Sequence, residues 1–228
     1  MGDGKAVKKK VSLVICILLV LALGGLILAL KMVDVQAAGP LDSQIGLAGI
    51  NTRFRDLIGQ NALMHVLADM LLYTSFAVVL CFGLDGLIQL ISGRSLKNVD
   101  KGLLFLVPIY LLMAVFYVAF EKYIINYRPI LEDGVLEASF PSSHVLMIVT
   151  ILGTAALELK HLVGNRAGRG LLQFLCILGC IGGIAVVSLH GRHWLTDVAG
   201  GVLCAGILIS LYAYFTADLD QENLEYED

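Results

Sequence analysis

The chain has 228 residues, 58% hydrophobic and only 15% charged, with 16 basic and 19 acidic side chains for a formal charge of −3 and a mean hydropathy of +0.84. This balance excludes a disordered chain, a nucleic-acid binder with a basic face and an ordinary soluble enzyme. A water-soluble domain of this length cannot hide so much apolar surface, whereas a bilayer accepts it, so the composition specifies an all-α, polytopic membrane protein.

A helix crossing the hydrocarbon core needs about 20 mostly apolar residues. After a basic segment, residues 1–10, the first span covers 11–30 without a charge. Its length exceeds the roughly 7–15-residue core of a signal peptide, so an anchor that stays is expected, although Val35-Gln36-Ala37 resembles a small-residue cleavage site. Residues 32–60, with their Gly, Pro, Asp and Ser, read as an outside loop, a connector lying on the membrane with a short surface helix over 50–58. The second span, 62–91, carries His65, Asp69 and Asp85. His65 and Asp69 are four apart near the outer boundary; a structural hydrogen-bonding role is expected, within reach of a substrate headgroup. Spans three to six follow at 102–120, 143–159, 171–189 and 198–215, with Glu158 expected to reach the inner interface. An acidic tail, 217–228, ends a single domain with no internal repeat. Cys16, Cys81, Cys176, Cys180 and Cys204 all lie in apolar stretches and act as small hydrophobes, with no disulfide framework and no metal partner for the Cys176/Cys180 pair.

Six spans, a six-transmembrane-helix bundle, put both termini on one side, and basic residues are retained on the cytoplasmic face. Ten lie on the N-terminal side: Lys5, Lys8, Lys9, Lys10, Arg94, Lys97, Lys101, Lys160, Arg166 and Arg169. The other side has six, Lys31, Arg53, Arg55, Lys122, Arg128 and Arg192. The termini are therefore expected in the cytoplasm.

Ionisable groups beside membrane spans are costly, which makes their clustering a functional hint. Three clusters map to the outer face: Lys122 to Arg128-Pro129 after span three, Pro141-Ser142-Ser143-His144 opening span four, and Ser188 to Asp197 between spans five and six. The second reads as a helix start whose unpaired amides attract an anion without a metal. Arg128 offers a charged fork matched to phosphate, and Pro129 ends the preceding helix. His193 and Asp197, four apart, stack on one face if helical, so that the carboxylate holds one ring nitrogen protonated and frees the other as nucleophile or base. His144 is then available as the acid. Singly these residues have plainer roles: an interfacial histidine bonds structurally, an Arg-Pro snorkels and stops a helix, and a His–Asp pair ornaments a helix start. Their joint placement on one face, by an argument that did not use them, favours a site.

These motifs resemble those of the type-2 phosphatidic acid phosphatase superfamily, membrane lipid phosphatases related to vanadium haloperoxidases, which show Lys-x6-Arg-Pro, Pro-Ser-Gly-His and Ser-Arg-x5-His-x3-Asp. Arg128-Pro129, Pro141-Ser142-Ser143-His144 and His193-Trp-Leu-Thr-Asp197 match, with Ser143 for glycine. The resemblance implies a nucleophilic His193 forming a phosphohistidine, Asp197 orienting it, His144 as general acid, and Arg128 with the amides around Ser142 and Ser143 holding phosphate; it implies no metal and no other cofactor. Two positions depart from the pattern. Glu121 stands where the family lysine belongs, with Lys122 one residue late, and Val186-Val187 replace the Ser-Arg of the third motif. Lys122, Arg192 and His190 are the candidates to supply the missing donors.

The expected function is hydrolysis of a phosphomonoester or pyrophosphate of a lipid at the extracytoplasmic surface, the substrate being a polyprenyl pyrophosphate such as the undecaprenyl carrier, phosphatidic acid or phosphatidylglycerol phosphate. The partners are that lipid phosphate and membrane lipids, with no nucleic acid and the oligomeric state open; a bacterial plasma membrane is the expected location. Two rival readings stand. One is a non-catalytic or impaired homologue that binds or transports lipid phosphates, which the missing arginine favours. The other is a metal-dependent hydrolase using His144, His190, His193 and Asp197.

Overall fold

The computed structural model describes residues 2–219, so most of the acidic tail expected over 217–228 lies outside the described residues. Seven α-helices dominate: α1 (Gly2–Met32), α2 (Ala48–Ile58), α3 (Ala62–Gly93), α4 (Lys101–Lys122), α5 (Ser143–Leu162), α6 (Arg166–Leu189) and α7 (Leu195–Thr216). All but α2 are long and apolar enough to cross a bilayer. The molecule is an integral membrane protein with a six-span, all-α fold. A two-residue antiparallel pair, Gln36–Ala37 with Gln44–Ile45, is the only sheet among the described residues.

The helices begin where side chains can satisfy orphan amides. Asn61 accepts from Met64 N at 3.2 Å to open α3, Asp100 from Gly102 N at 2.6 Å to open α4, and Asn165 from Ala167 N at 3.0 Å to open α6. These caps explain why α6 starts five residues before its apolar run: hydropathy marks the stretch that fits in lipid, whereas the cap marks where the helix begins.

α5 and α7 form the centre of the bundle, with Leu146, Ile148, Ile151, Leu208 and Tyr212 buried. α1 packs along α7, α3 and α6 pack against α5, and α4 touches both central helices. The outer helices keep large apolar side chains such as Leu21, Leu80 and Phe174 exposed, as a lipid-facing surface requires. In a membrane, helices associate by close packing rather than by hiding apolar surface, so small residues mark their contacts. Gly179 and Gly183 of α6 serve this purpose: a Cβ on either would stand 2.6 Å from Leu152 Cδ1 or 2.7 Å from Ile148 Cγ2 of α5.

Two expectations change. Glu158 does not reach the inner interface; it is fully buried, accepts the Tyr212 hydroxyl and lies against Gly102, because only a polar partner inside the bundle makes such a burial tolerable. Residues 32–60, expected as a connector, do more than connect. Asn51 of α2 is buried, donates to Gly46 O at 2.9 Å and to Thr196 Oγ1 at 3.0 Å, and accepts from Thr196 N at 3.3 Å, so α2 caps the start of α7.

The ends of α1, α4 and α6 gather with the starts of α3, α5 and α7. Lys31 donates to Ile124 O, Asn61 N to His190 O and Ser142 N to Asp197 O. At the opposite end an ion pair of 2.5 Å joins Lys9 to Asp218.

Candidate active site

The segment between α4 and α5 is a narrow hairpin ribbon. Ser139 N donates to Asn126 O at 3.0 Å and Arg128 N to Glu137 O at 3.1 Å, while Glu132 and Val135 exchange backbone bonds around a tip with positive φ at Asp133 and Gly134. The ribbon carries Arg128, Glu132 and Ser139 to the mouth of the bundle. Trp194 Nε1 fastens it by donating to Tyr127 O at 2.6 Å.

A narrow cleft, with room for about one water molecule, opens there, lined among others by Arg128, Ser139, Pro141, Ser143 and His193. His193 lies just before α7 rather than on it, so the pairing with Asp197 does not come from a helical face as the spacing suggests. Asp197 sits in the first turn of α7, where a carboxylate is favoured, and accepts from Trp194 N at 2.8 Å. His193 Nδ1 is 3.7 Å from Asp197 Oδ2, too long for a hydrogen bond. Ser139 fills the gap: its hydroxyl donates to Asp197 Oδ2, and its Oγ is 3.1 Å from His193 Nδ1. A hydroxyl has one proton. With that proton on the carboxylate, Oγ can only accept from Nδ1–H, which leaves Nε2 of a neutral His193 with its lone pair. Burial pushes His193 well below the usual histidine range, and the nearby charges of Arg128, His144 and Arg192 push it the same way. Nε2 is buried with no partner among the described residues.

His144, in the first turn of α5, does not line this cleft. Its Nε2 is 3.0 Å from Asp69 Oδ1 on α3, and its Nδ1 is buried without a partner among the described residues. His190 stands between the two sides, its ring 5.6 Å from that of His193 and 5.9 Å from that of His65. Its Nδ1 accepts from Arg192 N at 3.0 Å, so Nε2 carries the proton, and burial lowers its pKa to about 3.

The candidate phosphate ligands separate. Arg128 lines the cleft, but Glu132 Oε1 is 3.6 Å from its Nη1 and Glu137 Oε2 is 3.3 Å from its Nε. Arg192 donates to Glu132 and to His65 Nε2. Glu132 therefore bridges both guanidinium groups. Ser143 faces the cleft. Ser142 does not: its amide is taken by Asp197 O at 2.9 Å, and its Oγ, which accepts from Val145 N to cap α5, is fully buried. Lys122 is exposed at the end of α4 and off the cleft, while Glu121 lines it; a register one residue late turns the lysine by about 100°. Val187, at the third-motif arginine position, is fully buried and packs with Val145, Val198 and Ala68.

Ser139, Asp69 and Glu132 thus join the site without a motif to announce them. Only Asp69 had a signal, its i, i+4 relation to His65.

A sequence model of the PAP2 superfamily matches residues 117–220. No curated protein matches the chain by sequence. Among solved structures, the crystal structure of a transmembrane PAP2 type phosphatidylglycerolphosphate phosphatase from Bacillus subtilis aligns over 92% of this chain and 96% of its own, with a TM-score of 0.60 and 14% sequence identity. That likeness is one of fold.

Proposed function

Residues 117–220 match the PAP2 superfamily, and from that likeness we propose that the chain is an integral-membrane lipid phosphatase acting through a phosphohistidine. The observation that carries the reading is the bare Nε2 of His193, at a cleft shared with Arg128 and Ser143, with Nδ1 engaged by the Ser139–Asp197 pair. Nε2 attacks phosphorus, the bond from phosphorus to the leaving oxygen breaks, and His144 supplies that oxygen's proton. Water then attacks phosphorus and returns a proton to His144, the N–P bond breaks, and phosphate departs. Arg128, the start of α5 at Ser143 and Arg192 are the groups that offset equatorial charge. No step uses a metal. The substrate is an amphiphile whose tail stays in the bilayer, a class that includes phosphatidylglycerol phosphate, the substrate in the name of the similar Bacillus subtilis protein. The excess of basic residues at the opposite end supports an extracytoplasmic site with cytoplasmic termini.

A second reading, a lipid-phosphate binder without turnover, is favoured by Glu121 in the cleft and by the buried Val187. The deciding experiment uses purified protein in detergent with EDTA and a panel of phosphatidylglycerol phosphate, phosphatidic acid and undecaprenyl pyrophosphate. The wild type is expected to release phosphate and to trap an acid-labile, alkali-stable label from radioactive substrate. His193→Ala is expected to abolish both, and Arg128→Ala to slow turnover by about 10²–10³-fold. Equal background release by all three proteins supports the binder instead.

A further inference from the structure

Two carboxylates meet the histidines of this site, and only Asp197 lies in the region matched by the family. The other is Asp69, on α3. Its Oδ1 is 3.0 Å from His144 Nε2, and its Oδ2 is 3.7 Å from Nε2 of His65, one turn earlier on the same helix. His65 Nε2 also meets the Arg192 guanidinium, whose other nitrogen reaches Glu132. The side chains of Asp69 and His144 are 36% and 22% exposed, so neither is a solvated surface group nor a fully sealed one.

A carboxylate that accepts from one imidazole nitrogen fixes both the tautomer and the ring orientation. With Nε2–H committed to Asp69, proton exchange with any other group must pass through Nδ1. That atom is buried and has no partner among the described residues. The nitrogen through which a proton donor would act is therefore the one left unengaged.

We propose that Asp69 is the positioning residue of the general acid, holding His144 by Nε2 so that Nδ1 delivers the proton to the leaving oxygen. This rests on the reading of His144 as that acid. In the balanced step, His193 Nε2 bonds to phosphorus while the electron pair of the breaking P–O bond goes to the leaving oxygen. That oxygen takes the proton from His144 Nδ1, and His144 is left neutral with Nε2–H still on Asp69. Attack by water on the phosphohistidine later restores the proton to Nδ1. α3 thus contributes to the chemistry from outside the family-matched region.

The test exploits leaving-group dependence. Dioctanoyl phosphatidic acid expels an alkoxide that needs a proton; 4-nitrophenyl phosphate expels a stabilised phenolate that does not. The value of kcat/KM extends only to the first irreversible step, formation of the phosphohistidine, so later hydrolysis does not enter. His144→Ala is expected to lower kcat/KM for the alkyl substrate by about 10²-fold or more and to leave the aryl substrate within about threefold. Asp69→Asn, and Asp69→Ser as a second variant, should lose about 10-fold or more on the alkyl substrate alone. The double variant Asp69→Asn/His144→Ala should fall no further than His144→Ala, since coupled residues are non-additive. A retained kcat/KM on the aryl substrate certifies that each variant is folded. Equal losses on both substrates, or no loss, in the Asp69 variants overturn the proposal while His144→Ala remains selective. Lack of selectivity in His144→Ala itself overturns the general-acid reading beneath it.

Discussion

Ser139 has one proton and two neighbours that want a partner, and its choice sets the state of His193, the proposed nucleophile. A hydrogen bond to a charged group contributes about 1.5–3 kcal/mol, equivalent to roughly 10- to 100-fold in rate. Ser139→Ala is therefore expected to lower kcat by that factor with little change in KM, because the hydroxyl orients His193 rather than touching substrate. Steady-state kinetics on a short-chain lipid phosphate measure the split. The histidines also make a statement about pH. His193 and His190 are held neutral in the fold, the latter with a pKa of about 3 against an ordinary 6.5. Below about 6.5 the unfolded chain gains protons that the folded chain refuses, so stability present at higher pH is lost as pH falls toward 3. The unfolding temperature in detergent should drop through that window, and His190→Gln should flatten the decline.

At the level of elements, the hairpin between α4 and α5 combines an anion ligand with a competitor. Glu132 lies against Arg128 and Arg192 with its side chain 15% exposed, so under the proposed function it competes with phosphate for both guanidinium groups. Replacing that carboxylate by a neutral amide frees both guanidinium groups. Glu132→Gln is expected to lower the inhibition constant of inorganic phosphate, and KM, by about 3- to 10-fold, the equivalent of roughly 1 kcal/mol. Product inhibition assays measure this directly, and an unchanged constant would mean that the carboxylate stands clear of the anion. α2 acts differently, since Asn51 braces Thr196 at the start of α7 and steadies the turn that bears His193.

Across the whole molecule, the six spans were legible because lipid imposes a length and a composition that a residue count detects. Their ends were less so: α1 continues back to Gly2 through basic residues that hydropathy discards. Of the candidate site, Arg128, His144, His193 and Asp197 stood out through motifs. Ser139 did not, because its role arises from a ribbon that folds back on itself, and Glu132 did not, because no spacing announces an acid between two arginines. Asp69 stands 75 residues from His144, a distance that only helix packing closes. That packing is itself testable. A side chain on Gly183 collides with Ile148, so Gly183→Leu should force α6 from α5 and cost about 1–3 kcal/mol, visible as a lower unfolding temperature.

Gly191 has a φ of +77°, and a Cβ there would meet Gly59 O at 1.9 Å. Only glycine suits such a turn, and the two backbones meet with no side chain between them to yield. The turn that bears His193 and the entrance to α3 are therefore held backbone to backbone. Any side chain at position 191 would drive these two backbones apart and shift His193 with them.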